Sequence, residues 1–268
     1  MSAAVASTTT PSTASGRWLR YRRYLPPLLI VVLWQVAASA GLIPTRTLAS
    51  PAMIAGTFAE LISTGELPRH LLVSLGRVAT GLGLGIVAGT TFAFIAGLSR
   101  RGEDLLDATL QMLRTLPFLA LVPLFILWFG IGETPKIALV ALGTMFPIYL
   151  TLFAGIRGVD AKLIEAGSTL GLSRREQIFH IVLPGALPSA LVGLRYALGV
   201  AWLSLVVAEQ INADTGIGFL VMTAREFLRT DIILVGLIVY AILGLSADQI
   251  VRVLEYRVLA WRPGFLKD

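Results

Sequence analysis

Long apolar runs separated by short polar stretches make up most of this chain, and several runs are long enough to cross a bilayer. A crossing takes about 20 apolar residues at about 1.5 Å per residue. The first run is Leu25 to Ile43, and others lie near His70 to Leu98, Leu105 to Gly130, Ile137 to Ala154, Ala190 to Ala208 and Asp231 to Val251. The pattern predicts an all-α, polytopic membrane protein with six transmembrane helices. Gly81, Gly85 and Gly89 recur every fourth residue in the second run, a small-residue stripe against which another helix can approach closely. Pro117 and Pro123 remove backbone donors from the third run and should kink it, and Pro147 lies inside the fourth. Ser50-Pro51 reads as an N-cap and first turn of an amphipathic surface helix carrying Ile54, Phe58, Leu61 and Ile62. Between the last two runs, Phe219 to Met222 is apolar but too short to span, so residues 209–230 are expected to form a re-entrant or interfacial segment.

One stretch breaks the apolar pattern more deeply. Glu165 to Pro188 is a polar island with the grammar of two short helices joined at a corner. Asp160 is placed to cap the first, whose apolar positions Leu163, Ala166, Gly167 and Leu170 keep helical spacing. Gly171 can take the left-handed conformation that ends a helix, and Ser173 with Glu176 three residues on forms a capping box for the next.

Composition agrees with a membrane protein: of 268 residues 56% are hydrophobic and 14% charged, and there is no cysteine, so no disulfide or thiolate metal site is available. The net charge of +6 is not interleaved with stacking aromatics, which argues against nucleic acid; it marks loops held at an anionic inner leaflet. Fourteen Lys and Arg residues fall on the side of the two termini and five on the other, which puts the termini and the island in the cytoplasm. Residues 1–24, rich in Ala, Ser and Thr and then Arg, are expected to be a disordered tail with a basic end. The competing reading of this region is a cleavable signal peptide ending near Ala38-Ser39-Ala40. The transmembrane body runs over 25–253, with the island segment spanning 156–188, and 254–268 is a polar C-terminal tail.

Catalytic signatures are missing. No G-x-x-x-x-G-K-[ST] phosphate loop, H-E-x-x-H or G-x-S-x-G occurs, and the two histidines, His70 and His180, fall on opposite sides of the predicted membrane. The chain is therefore read as a non-enzyme, and any work against a gradient has to be powered by a partner.

Glu165-Ala166, Gly171, Ile181, Leu183 and Pro184 stand at the spacing E-A-A, G, I, L-P, which resembles the signature of permease subunits of ATP-binding-cassette importers. PFLALVPLFILWFGIGETPK (Pro117 to Lys136), LRYALGVAWLSLVVAEQI (Leu194 to Ile211) and AREFLRTD (Ala224 to Asp231) look like the branch importing aliphatic sulfonates, taurine, nitrate or related anions. Gly167 departs from the family's usual alanine and should loosen the first island helix by up to about 1 kcal/mol. The resemblance implies a type I importer fold and a homodimer in the bacterial plasma membrane. It also implies an external or periplasmic substrate-binding protein and two copies of an ATPase subunit, which would hold the ATP and magnesium; no cofactor belongs to this chain. The island would be the coupling helix docked on that ATPase through Glu165, Ala166, Gly167, Gly171, Ser173, Ile178, Phe179, Ile181, Val182, Leu183 and Pro184, with Leu183-Pro184 turning the chain back into the fifth span. Aliphatic sulfonates are the favoured substrate, with taurine, nitrate, bicarbonate or a pyrimidine precursor as alternatives.

For the translocation path, Arg77, Arg114 and Arg195 are the basic residues near span interiors or ends, with Arg114 expected close to the cytoplasmic interface, and an intramembrane charge is a candidate site. Trp202, Ser204 and Glu209 are path candidates by position. An ATP-independent channel or secondary carrier is the reading from a different class. It would favour internal symmetry between halves, which the single island breaks.

Overall fold

The computed structural model describes residues 25–211 and 213–261; the predicted N-terminal tail and the last seven residues lie outside that range. Every element among the described residues is helical. In order these are α1 (Leu25–Ser39), α2 (Pro51–Ser63), α3 (Glu66–Leu98), α4 (Arg100–Thr115), α5 (Val122–Phe129), α6 (Glu133–Arg157), α7 (Ala161–Thr169), α8 (Arg174–Gln177), α9 (Leu183–Ile211), α10 (Ile217–Glu226) and α11 (Thr230–Val258). Four helices are long and apolar enough to cross a membrane: α3, α6, the continuous Arg174–Ile211 helix and α11. α1 is a shorter apolar helix at the first predicted span, and α4 and α5 together cover the third. α11 continues to Val258, past the predicted end of the membrane body at residue 253.

At the centre, α3 and α6 lie side by side and run in the same direction. The glycine stripe makes this possible: a Cβ on Gly81 would lie 2.6 Å from Val140 Cβ, and one on Gly89 would lie 2.6 Å from the Met145 carbonyl oxygen. Gly85 has Thr144 and Gly97 has Ile156 in the same relation, so the predicted stripe extends two steps further, through buried Ala93 to Gly97. α9 packs antiparallel against α6, where Gly155 meets Ser189 and Gly193 meets Thr151, and also touches α3. Buried Tyr149, Leu152 and Ile156 of α6, with Ala93 and Ala96 of α3 and Ala186 of α9, form the core at the island end. A second core joins α2, α10 and α11 at the far end through Ile54, Leu61, Ile217, Leu220, Val235 and Val239. The Ser50 cap on α2 is present, its hydroxyl accepting from Met53 N at 3.2 Å.

The third predicted span is broken where a kink was expected. α4 ends at Thr115, Leu116 turns extended at ψ 133°, and Phe118–Leu121 make one tight 3₁₀ turn before α5 begins. Pro117 forces this, because a residue before proline is pushed out of the helical region, and Pro123 is accommodated in the first turn of α5. The depth of the break follows from the partners of α4. Arg157 at the end of α6 pairs with Glu103, and Tyr149 donates to Asp107 Oδ1 at 2.8 Å. Leu110 belongs to the core around Met145 and Phe146, while Val122 packs with Leu139 and Ala208. The interruption thus lies level with the middle of α6.

Gly85→Val is expected to lower the melting temperature in detergent, at a cost of about 1–3 kcal/mol from forcing α3 and α6 apart. Gly83→Ala, where nothing lies within 4 Å of the added carbon, should leave it unchanged.

Candidate functional site

The island folds as its residues dictate. Asp160 Oδ1 accepts from Lys162 N at 2.9 Å and opens α7. Gly171 sits at φ +81°, a left-handed position that suits glycine. Ser173 and Glu176 close the capping box: the Ser173 hydroxyl accepts from Glu176 N at 3.4 Å, and Ser173 N donates to Glu176 Oε2 at 2.8 Å. Two ties were not anticipated. Gln177 Nε2 spans the corner, donating to Ser168 Oγ at 2.9 Å and Leu172 O at 3.0 Å. Arg174 reaches the end of α3 and donates to the Leu98 carbonyl at 3.0 Å, one of the acceptors a helix C-terminus leaves open.

The candidate docking residues divide by direction. Phe179 is 60% exposed, and Leu163 of α7 and Leu170, the residue that caps α7, are exposed as well. Glu165 and Ala166 are also exposed, and Glu165 makes no side-chain bond across the corner among the described residues. Ile178, Ile181, Leu183 and Pro184 are half-buried, and Val182 is buried in the core, so Val182 is not part of the exposed surface. Gly167 is buried, and a Cβ there would lie 2.7 Å from Ile181 Cδ1. The missing methyl therefore seats Ile181 against α7. One expectation is corrected outright: Leu183-Pro184 does not turn the chain. Ile178–Val182 form a single π-helical turn, Leu183 is helical at φ −62° and ψ −50°, and the helix runs unbroken from Arg174 to Ile211. Proline fits there because it stands in the opening turn of α9, where the wider π turn relieves the clash with the preceding carbonyl.

At the far end, two of the candidate path residues come together. Arg77 of α3 is 3% exposed and Glu209 of α9 is 1% exposed. Arg77 Nη1 donates to Glu209 Oε1 at 2.7 Å and to the Thr215 carbonyl at 2.6 Å. Its Nε and Nη2 fork onto Glu133 at 2.5 and 2.6 Å. Glu209 also accepts from Ser74 Oγ at 2.8 Å and from Gly218 N at 2.8 Å, so a buried carboxylate satisfies the N-terminus of α10. His70 Nδ1 accepts from Gly216 N at 2.9 Å. Gly216 lies at φ +117°, and a Cβ there would strike the Glu209 carboxylate. His70, Ser74, Gly216 and Gly218 were absent from the sequence-level site; a Gly-Ile-Gly opening a helix shortly after an isolated glutamate was the available signal. The cluster borders a cavity of about 380 Å³ lined by Gly132, Glu133, Lys136, Ala213 and Asp214.

The remaining path candidates stand apart. Ser204 is fully buried and its hydroxyl donates to Val200 O at 2.7 Å, inside its own helix. Arg195 pairs with Glu255 at 2.8 Å and Asp248 at 3.2 Å on α11, and with Trp202 it lines a separate pocket between α9 and α11. The AREFLRTD stretch is a fastening: Asp231 accepts from Arg229 Nη2 at 2.8 Å and Thr57 Oγ1 at 2.9 Å, and Thr230 Oγ1 donates to Thr45 O at 2.8 Å. It joins the α10–α11 corner to α2.

Residues 81–260 match the family described as binding-protein-dependent transport system inner membrane component. The chain is 49% identical over 255 residues to the aliphatic sulfonates transport permease protein SsuC of Escherichia coli strain K12, covering 95% of this chain and 97% of that one. It is 46% identical to the SsuC of Bacillus subtilis strain 168, covering 90% of this chain and 87% of that one. With the taurine transport system permease protein TauC of E. coli it shares 37% identity, over 87% of this chain and 86% of that one. Among solved structures, an amino acid ABC transporter solved with histidines matches with a TM-score of 0.60 at 16% identity, over 70% of this chain and 92% of that one. At that identity the likeness shows the fold.

Glu209→Ala is expected to destabilise the protein by about 3–5 kcal/mol, because it strands Arg77 as a buried, half-paired charge. Thermal unfolding of the purified variant measures this, and an unchanged midpoint would show that the cluster bears no load.

Proposed function

Because the chain belongs to the family of binding-protein-dependent transport system inner membrane components, we propose that it is the membrane-spanning permease of an ATP-driven importer of small organic anions, aliphatic sulfonates first among them. The observation that carries this reading is the island. A helix, a glycine corner and a second helix present Leu163, Leu170 and Phe179 to solvent at the polar end of a membrane protein. Exposed large apolar groups in such a place mark a protein-binding surface. The surface is held from beneath by Gln177 and Arg174, so it docks as a fixed shape.

The partner is a separate ATPase subunit, present twice, which binds ATP and magnesium and supplies the energy that no motif of this chain provides. Two copies of the permease enclose the path between them, and an external substrate-binding protein delivers the solute at the far end. The side with the excess of Lys and Arg is the cytoplasm of a bacterial cell, so both termini and the island lie inside its plasma membrane. Sulfonate as substrate follows the names of the two SsuC relatives; taurine is supported more weakly by TauC.

Gly171→Pro or Glu165→Arg is expected to abolish alkanesulfonate uptake by cells expressing the whole system. Stimulation of the ATPase should fall with it, while the permease still reaches the membrane. Proline at 171 cannot adopt the left-handed corner, and arginine at 165 reverses the charge on the docking face. Uptake unchanged in both variants would refute the docking role.

A further inference from the structure

The break between α4 and α5 opens the backbone level with the middle of α6, a helix long and apolar enough to cross a membrane. Its depth was fixed above by Glu103, Asp107 and Leu110 on one side and Val122 on the other. Arg114 stands seven residues beyond Asp107, about 10 Å further from the island end. That is level with the middle of α6, not at the cytoplasmic interface where the sequence suggested it. From Met112 to Pro117 every residue is exposed, so no face of this segment is covered by the described residues. Arg114 has no ion-pair partner among the described residues. The nearest carboxylate on its own helix face, Asp107, is taken by Tyr149, and α5 carries no charge at all.

An uncovered arginine beside open backbone cannot face lipid. Free carbonyls at the end of α4 would have no partner there, and non-helical backbone is tolerated at this depth only against protein or water. Half a hydrocarbon core is about 15 Å, more than the arginine stem can snorkel across. Leu113 and Leu116 are exposed beside it, and a dry cover of apolar groups from a second copy would leave the guanidinium unpaired. Water therefore has to reach it.

We propose that Arg114 lines a water-filled path at mid-depth and takes the anionic head of the substrate as it passes, so that it is a specificity-determining residue of the transport step. This rests on the permease reading above. The chemistry that fits is a compact oxyanion such as a sulfonate, which can accept two guanidinium donors at once. Lysine could supply the charge but not the fork.

The absence of cysteine gives a clean background. In the complete complex reconstituted in liposomes, the Arg114→Cys variant is expected to react with a charged, water-soluble methanethiosulfonate, and millimolar alkanesulfonate should slow that reaction. Leu205→Cys, at a fully buried position, should stay unlabelled. Arg114→Gln should lower alkanesulfonate uptake about ten- to a hundred-fold, the loss expected from one charge-assisted hydrogen bond, with Arg114→Lys intermediate and thermal stability unchanged. No labelling of Arg114→Cys would overturn the water-lined placement. Labelling with full uptake by Arg114→Gln would overturn the substrate contact. If the wild-type complex moved no anion, the transport reading would fall, and the labelling would still decide where Arg114 lies.

Discussion

In a bilayer every backbone N–H and C=O has to find a partner inside the protein or in trapped water, and this requirement orders the molecule. Where the chain stays helical it meets the requirement by itself, and the remaining question is how closely helices can approach. Glycine answers that for α3 against α6 and for α6 against α9. Where the helix stops, each end needs a named acceptor or donor. Glu209 serves the start of α10, Arg174 serves the end of α3, and the Ser173–Glu176 box serves α8. The end of α4 meets no side-chain donor from another helix among the described residues, and it lies level with the middle of α6, which sets the third predicted span apart.

The far-end cluster shows how a buried charge becomes affordable. Arg77 directs its donors at two carboxylates and a carbonyl, and Glu209 accepts from a guanidinium, a hydroxyl and a backbone amide. Neither residue is an isolated charge in an apolar medium, so neither carries the full desolvation penalty. The arrangement draws together α3, α6, α9 and the opening of α10, beside the apolar contacts of Val78, Val140 and Leu205 and of Leu139 and Ala208.

Much of this was legible in the sequence, because most of the signals are local. Hydropathy located the spans, the glycine period foretold the α3–α6 contact, and Asp160, Gly171, Ser173 and Glu176 spelled out the island. What escaped was of two kinds. Arg77 and Glu209 were each noticed for their unusual surroundings, but they are 132 residues apart and nothing local says that they meet. The depth of Arg114 depended on whether the prolines bend a helix or break it, and Pro117 decides that only together with the 3₁₀ turn that follows. Leu183-Pro184 erred in the other direction. Proline ordinarily ends a helix, yet here a π turn admits it, and propensity alone could not foresee that accommodation.

That accommodation has a mechanical side. Since the chain does not fold back at Leu183, the island and the fifth crossing form one rod from Arg174 to Ile211, about 55 Å long at ordinary helical rise. Its base carries the exposed Phe179, and its tip carries Glu209. A rod without a hinge stores no slack, so a tilt imposed at the base reaches the tip as a displacement and loads the bonds that Glu209 makes with Arg77, Ser74 and Gly218. The π turn and Pro188 both lie near the base, so the stretch from Ser189 to Glu209 is regular helix and moves as one piece.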